Sequence, residues 1–141
     1  MLDLTSFQDA VAQLEDMHSY AQSPAVKADL KLSTYMRTAV IKGFEYSYEL
    51  AHKFMERFIE TYGPRREPDM ALTYRELLRH AHEYGLIANV NAWLLYREKR
   101  NVTSHGYNAS KAEEIFAVIP DFLRDARFTL KAIAQRQKEQ Q

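Results

Sequence analysis

The segment around residue 100 concentrates side chains that can handle a phosphate and a proton. The run REKRNVTSHGY (residues 97–107) holds three cations, one histidine and one phenol. His105 can take a proton from a ribose 2′-hydroxyl near neutral pH, or return one to a leaving oxygen. Arg100 can hold a phosphate through two parallel hydrogen bonds and stabilise transition-state charge. Together the two side chains suffice in principle for metal-free cleavage of RNA. On spacing alone, a helix C-terminus with cations that favour its dipole and a capping histidine is the favoured interpretation.

The spacing of this pair restricts how the two side chains can meet. Arg100 and His105 are five positions apart, which on a regular helix is about 140° around the axis. Asn101 and His105, four positions apart, share a face instead. If Arg100 and His105 serve one site, either the helix loosens before Gly106 or two copies of the chain face each other across a dimer axis.

The other histidines do not form a recognisable catalytic or metal-binding pattern. His80 and His82 are two positions apart, the wrong step for one helical face, and no carboxylate cluster stands beside them. His18 and His52 are interpreted as single helix-surface or interface residues. The chain has no Walker loop, dinucleotide fingerprint, serine-hydrolase elbow or zinc-protease motif. We therefore expect no metal and no cofactor.

Composition sets the class of protein. The 141 residues predict one domain, residues 1–141, and 46% hydrophobic content is typical of a globular chain. Nineteen basic and nineteen acidic residues give no net charge, so any nucleic-acid site must be a local patch. The absence of cysteine excludes disulfides and thiolate sites. With no signal peptide and no apolar run long enough for a membrane helix, we expect a cytoplasmic protein with no membrane partner.

Apolar residues at three- and four-residue steps predict two helices in the first half of the chain. The first covers about residues 6–21, with Thr5 and Gln8 spaced as a capping box. The second is long, from about Leu32 to Tyr62. Small residues on its apolar seam suit the close approach of another helix. The seam consists of Met36, Val40, Gly43, Ser47, Leu50, Phe54 and Phe58.

An aromatic cluster lies beside this seam. Core packing is the simplest interpretation of Phe44, Tyr46 and Tyr48. We expect that Tyr46 and Tyr48 do not share one face with Phe44, so part of the cluster should meet a second surface. A subunit interface is the natural candidate.

A third helix follows the glycine- and proline-rich loop at residues 63–68. Its predicted start is Thr73, whose capping-box partner is Glu76, and its predicted end is Gly85. Its apolar stripe is Tyr74, Leu77, Leu78, Ala81 and Tyr84.

Two more helices complete the predicted fold. The fourth begins near Asn89 and runs to Gly106, and the last opens at Ser110, is kinked by Pro120, and frays over residues 136–141. The basic residues of the last helix alternate with acids, which indicates a solvated face more than a phosphate groove. Five helices and no convincing strand predict an all-α fold, an antiparallel four-helix up-and-down bundle with an additional short helix.

The run RNVTSHGY resembles the signature of HEPN domains: an arginine, a polar residue, a histidine after four intervening positions, and a tyrosine two further on. It is most similar to the HepT-like branch, also described as nucleotidyltransferase substrate-binding proteins. The stretches GFEYSYELAHKFM and EYGLI, the tryptophan-bearing fourth helix and SKAEEIFAVIPDFL resemble that family in the same order. The resemblance covers about residues 31–122.

The resemblance implies a helical bundle that forms a homodimer, with the arginine–histidine motifs of two subunits meeting in a cleft. It also implies a separately encoded partner, a minimal nucleotidyltransferase. In toxin–antitoxin members of the family, the HEPN protein is a metal-independent RNase, and the partner silences it by attaching adenylate to the motif tyrosine. Carried over, Arg100 and His105 are catalytic, Asn101 is supporting, and Tyr107 is the site of AMPylation.

Two functions from different classes remain open at this point. The first is an RNase toxin that cleaves an RNA substrate and is restrained by the nucleotidyltransferase. The second is a non-catalytic subunit that binds a substrate for the nucleotidyltransferase. Because Arg100, His105 and Tyr107 are all present, the first is favoured.

Overall fold

The computed structural model describes residues 1–64, 71–104 and 108–140, and within these ranges the chain forms six α-helices and no strand. The predicted all-α fold is confirmed. None of the described helices is both long and apolar enough to cross a lipid bilayer. In chain order the helices are α1 (Thr5–Ala21), α2 (Pro24–Lys27), α3 (Leu30–Tyr62), α4 (Tyr74–Glu83), α5 (Val90–Ser104) and α6 (Ala109–Glu139).

The two helices of the first half begin differently from the prediction. The predicted capping box of Thr5 and Gln8 does not form, so that prediction is wrong. The carboxylate of Asp3 instead accepts from the backbone N–H and from the hydroxyl of Thr5, at 3.0 and 2.7 Å. The side chain of Asp29 caps α3, accepting from the backbone N–H of Leu32 at 3.1 Å. The one-turn helix α2 has no counterpart in the prediction, although a proline at its first position fits a helix start.

Helix α4 has the ends that the sequence predicts. The hydroxyl oxygen of Thr73 accepts from the backbone N–H of Glu76 at 3.2 Å, and the same hydroxyl donates to the Glu76 carboxylate at 2.9 Å. At the other end Gly85 has a φ of 75°, a left-handed conformation that suits glycine. The N–H of Leu86 then donates to the carbonyl of Ala81 at 2.8 Å, which closes a Schellman turn.

Helix α6 is longer at both ends than predicted. It begins at Ala109 because the side chain of Asn108, not Ser110, accepts from the backbone N–H of Lys111 at 3.0 Å. The frayed tail predicted from residue 136 is wrong as far as Glu139. Gln137 is buried there, and its amide bonds both the N–H and the carbonyl of Leu2, at 2.9 and 3.2 Å. The helix continues through Pro120, and the kink at that residue stays a prediction.

The predicted apolar seam of α3 packs against α1. A Cβ added to Gly43 would lie 2.6 Å from the Met17 Cε and 3.3 Å from a Leu14 Cδ. The small residue therefore permits the close helix–helix approach that the sequence indicates. On the same seam Val40, Phe54 and Phe58 are buried, so this face of α3 belongs to the core.

The aromatic cluster of α3 divides in a way that corrects the prediction. Phe44 and Tyr48 are both buried and their ring centroids lie 6.5 Å apart, since residues four positions apart share a helical face. Only Tyr46 points elsewhere, with 53% of its surface exposed. Around Phe44 the core is aromatic, with Trp93 and Tyr96 of α5 packing edge-on against Phe122 of α6.

Candidate functional site

Arg100 lies about one turn before the end of α5, against the middle of α3. Its Nη2 is 2.5 Å from Oε1 of Glu49, and its side chain is 33% exposed. The hydrogen bond from Arg100 to Glu49 raises the pKa of Arg100, so the guanidinium stays charged. One predicted catalytic side chain is thus held at the surface in an ion pair with a carboxylate.

The neighbouring residue ties α5 to a different helix. Lys99 makes an ion pair with Glu114 of α6, and only 12% of its side chain is exposed. Consecutive cations on α5 therefore contact opposite neighbours, Arg100 towards α3 and Lys99 towards α6. Both ion pairs fit the rotation of α5 that buries Trp93 and Tyr96, and this rotation decides which of its side chains face solvent.

An aromatic and imidazole cluster lies beside Arg100, between α3 and α4. The ring of His52 meets Tyr74 edge-on at 5.2 Å, and Tyr48 lies 6.5 Å from Tyr74. The Tyr74 hydroxyl donates to the carbonyl of Trp93 at 3.2 Å, which joins α4 to α5. The guanidinium of Arg97 lies over the Tyr74 ring, 4.6 Å from its centroid.

Burial controls the protonation of this cluster. It raises the pKa of Tyr48 and that of Tyr74 above their ordinary values, so both phenols stay neutral. Burial also lowers the pKa of His52, and the positive charges of Arg97 and Arg100 lower it further while Glu56 opposes them. His52 is therefore a neutral imidazole at neutral pH.

The structure describes only part of the predicted catalytic set. Arg100 and Asn101 lie next to each other on α5, and Asn101 is exposed. His105 and Tyr107 lie outside the described residues, as does Gly106. Helix α5 is continuous through Ser104, so the loosening that would bring Arg100 and His105 together within one chain does not occur before that residue.

Three residues of this region were not predicted as site residues from the sequence: Glu49, Arg97 and Tyr74. Each acts through a partner on another helix, at a separation of 19 to 51 residues. Spacing along one helix carries no signal for such pairs. His52 was interpreted as a helix-surface or interface residue, and the structure makes it half-buried, with its ring against Tyr74 of α4.

Among the described residues, no three histidine, aspartate or glutamate side chains converge as a set of metal ligands. The charged groups next to Arg100 are arranged as ion pairs and ring contacts instead. What they offer chemically is an anion-binding position at the Arg100 guanidinium.

A family model described as "Nucleotidyltransferase substrate binding protein like" matches residues 2–135. The chain belongs to this nucleotidyltransferase substrate-binding family. A curated relative from Haemophilus influenzae, named "Probable ribonuclease HepT", is 32% identical over 131 residues, covering 93% of this chain and 86% of the relative. The HepT-like resemblance of the sequence is confirmed.

Solved structures of similar proteins share the fold of this family member. The Haemophilus influenzae protein HI0074, described as the fold of a substrate-binding domain of a nucleotidyltransferase, has a TM-score of 0.79 at 28% identity, covering 94% of this chain and 99% of that protein. A protein from Thermus thermophilus has a TM-score of 0.67 at 25% identity, covering 92% and 97%. The helical bundle of this chain is therefore shared with both solved structures.

Proposed function

We propose that this chain is a ribonuclease that needs no metal, in which Arg100 holds the scissile phosphate and His105 moves the proton. The observation that carries the proposal is the placement of Arg100, which is charged, partly exposed and held on α3 one turn before α5 ends. The relative named as a probable ribonuclease supports it, because the similarity extends over most of both chains.

The chemistry is a transfer of the phosphate within the RNA strand. His105 takes the proton of the ribose 2′-hydroxyl, and the 2′-oxygen forms a bond to phosphorus. The bond from phosphorus to the 5′-oxygen breaks, and the imidazolium returns its proton to that oxygen. The products are a 2′,3′-cyclic phosphate and a 5′-hydroxyl. Arg100 stabilises the extra negative charge on the phosphate oxygens during this step.

The active form in this proposal is a homodimer. Positions 100 and 105 are about 140° apart around the axis of a regular helix, so a single regular helix does not bring Arg100 and His105 together. Two copies related by a two-fold axis can supply Arg100 from one chain and His105 from the other. The ion pair with Glu49 then holds Arg100 ready until an RNA phosphate takes the place of the carboxylate.

The proposed partner is a minimal nucleotidyltransferase, consistent with the family to which the chain belongs. The partner attaches AMP to Tyr107: a bond forms between the phenol oxygen and the α-phosphorus of ATP, the phenol proton leaves, and pyrophosphate departs. Tyr107 is two residues from His105 in the sequence. An adenylate there adds bulk and negative charge beside the motif, which excludes RNA by steric conflict and by charge repulsion.

The nuclease is tested by RNA cleavage in the presence of EDTA. The wild-type chain should cleave RNA and leave cyclic phosphate ends, whereas Arg100→Ala and His105→Ala should each lose at least about 100-fold in rate. Arg57→Ala is the control, because Arg57 is an exposed arginine of α3 whose guanidinium lies over the ring of Phe54. Cleavage that persists in His105→Ala, or that EDTA abolishes, contradicts the proposal.

The modification is tested separately with the partner and ATP. Mass spectrometry should find adenylate on Tyr107, and cleavage should fall in proportion to the modified fraction. Tyr107→Phe should cleave RNA but resist silencing. Adenylate found only on other residues would contradict this part of the proposal while leaving the nuclease intact.

The second candidate is a non-catalytic subunit that binds a substrate for the nucleotidyltransferase. The observation in its favour is that HI0074, with the same fold, is described as a substrate-binding domain. This function requires no RNA cleavage by the wild-type chain in any assembly, together with an effect of the chain on the nucleotidyltransferase reaction. The cleavage assay therefore separates the two candidates.

A further inference from the structure

A polar groove runs along the outer face of α5 and ends beside the proposed site. Its volume is about 550 Å³, and it is open to solvent along its length. Asn91 lines one end of the groove and Asn101 the other, so along α5 it extends for about 15 Å. Arg97 of the groove and Arg100 both lie close enough to His52 to lower its pKa, so this part of the groove is near the proposed phosphate-holding position.

Two arginines line this groove without carboxylate partners among the described residues. Arg97 contacts the Tyr74 ring, which restrains its guanidinium but does not neutralise it. Arg75, on the first turn of α4, makes no ion pair in the part of the chain that the structure describes. Glu98 is the one acid among the lining residues, so the groove keeps an excess of positive charge.

The rest of the lining is amide and leucine. Asn91 and Asn101 offer both donors and acceptors, which suits base edges and sugar hydroxyls. Leu94 and Leu95 give an apolar strip between the polar ends, and Leu95 is 39% exposed. An apolar strip can contact base faces only where the bases are unstacked, and a duplex hides those faces.

We propose that this groove binds a short single-stranded stretch of RNA next to the scissile phosphate, with Arg75 and Arg97 contacting backbone phosphates. The inference rests on the proposed nuclease and names its substrate class, single-stranded RNA. Two unneutralised arginines favour a polyanion over a second copy of this chain, whose overall charge is zero. The groove would make the enzyme prefer unpaired regions of RNA over helices.

The test measures binding, so it does not depend on cleavage. The probe is an oligouridylate of about twelve nucleotides, methylated on every 2′-oxygen so that it cannot be cut. Arg75→Ala and Arg97→Ala should each weaken its binding to the full chain by about 5- to 20-fold at low salt. Each should also reduce the slope of log affinity against log salt by about 0.7. Arg97→Lys should retain most of that slope, because it keeps the charge.

Arg57→Ala is again the matched control, since Arg57 also lies over an aromatic ring and is outside the groove. Weaker binding in both groove variants and not in the control supports the groove, even if the wild-type chain cleaves nothing. The groove proposal is overturned if all three variants weaken binding equally or if neither groove variant has an effect. It is also overturned if a duplex of the same length binds more tightly or if the wild type does not bind. If the groove variants instead dissociate a dimer in sedimentation, the face is a subunit interface and the proposal is also overturned. Cleavage by the wild type together with any of these results leaves the nuclease standing without this groove.

Discussion

The arginines of α6 and those of the α4–α5 side behave differently. Arg124 contacts Asp121 and Asp125, Arg127 lies 2.7 Å from Glu15 of α1, and Arg136 lies 3.1 Å from Glu139. On the other side Arg75 and Arg97 have no carboxylate partner among the described residues, and Arg100 has Glu49. The three arginines of α6 are thus all paired with carboxylates, whereas Arg75 and Arg97 leave positive charge on the α4–α5 side.

The two sides also differ in what holds the helices together. Where α3 meets α1 the contact is apolar, with Leu14 fully buried at the level of Gly43. Where α3 meets α4 and α5 the contact includes Tyr48, Tyr74 and the half-buried His52. Both contacts bury large side chains, but the second also has the guanidinium groups of Arg97 and Arg100 beside it, where a ligand could meet them.

The largest expected effect is on stability and comes from the apolar side. Leu14→Ala removes a fully buried side chain and should lower the free energy of unfolding by about 2–5 kcal/mol, as urea denaturation would measure. RNA binding by the folded protein should stay unchanged. Arg97→Ala should instead weaken RNA binding and change the free energy of unfolding by no more than about 0.5 kcal/mol. A large loss of stability in Arg97→Ala would remove the distinction between the two sides.

The second effect tests the junction between the two sides, where the Tyr96 hydroxyl of α5 donates to the buried carboxylate of Asp125 on α6. Burial and this hydrogen bond raise the pKa of Tyr96, so the phenol stays protonated as a donor. Tyr96→Phe leaves the carboxylate without that donor and should cost about 1–3 kcal/mol in the same denaturation assay. A neutral effect would mean that Arg124 alone satisfies Asp125.

The third effect sharpens the difference in charge. Glu49→Gln removes a negative charge next to Arg100 and should tighten binding of uncleavable RNA by about 3- to 10-fold. Glu56→Gln is the matched control, because both glutamates are on α3 and both side chains are 53% exposed. Unchanged or weaker RNA binding in Glu49→Gln would contradict competition between the carboxylate and the RNA phosphate.

The smallest effect is the pH dependence of stability. Burial lowers the pKa of His18, which lies 5.8 Å from the Phe116 ring, below its ordinary value of 6.5. A depressed pKa means that the unfolded chain binds the proton more readily, so stability falls as the pH drops below 6.5. His18→Gln should flatten this decline in denaturation curves, leaving the part that arises from His52. If the dependence of stability on pH is the same in His18→Gln as in the wild type, His18 is hydrated in the folded protein.

Most of the fold could be predicted from the sequence, because the signals that define a helix lie in residues close to each other along the chain. The seam of α3, the capping of α4 by Thr73 and its closure at Gly85 all depend on residues within a few positions of each other. The errors at Thr5 and Ser110 have a common cause, since in each case a side chain just upstream, Asp3 or Asn108, makes the hydrogen bond. The buried end of α6 depends on Leu2, at the far end of the chain.

The candidate site was predictable only in part. Resemblance to a family pointed to Arg100, but nothing local could show that Glu49 holds it or that Arg97 lies over Tyr74. Tyr48 was predicted not to share a face with Phe44, although it does. Contacts between helices depend on how each helix is rotated about its own axis. The periodicity of the sequence predicts that rotation only where one face of the helix is strongly apolar.

The central claim is that Arg100 of one copy and His105 of another form a ribonuclease site, and a mixed dimer tests it most directly. Arg100→Ala and His105→Ala chains, each inactive alone, are combined and assayed on RNA. One of the two composite sites in the mixed dimer then keeps both groups, so cleavage should return to about half of the wild-type rate per dimer. A mixed dimer that forms but remains inactive, beside an active wild type, would contradict a site shared between subunits, and a wild type that cleaves no RNA would contradict the nuclease itself.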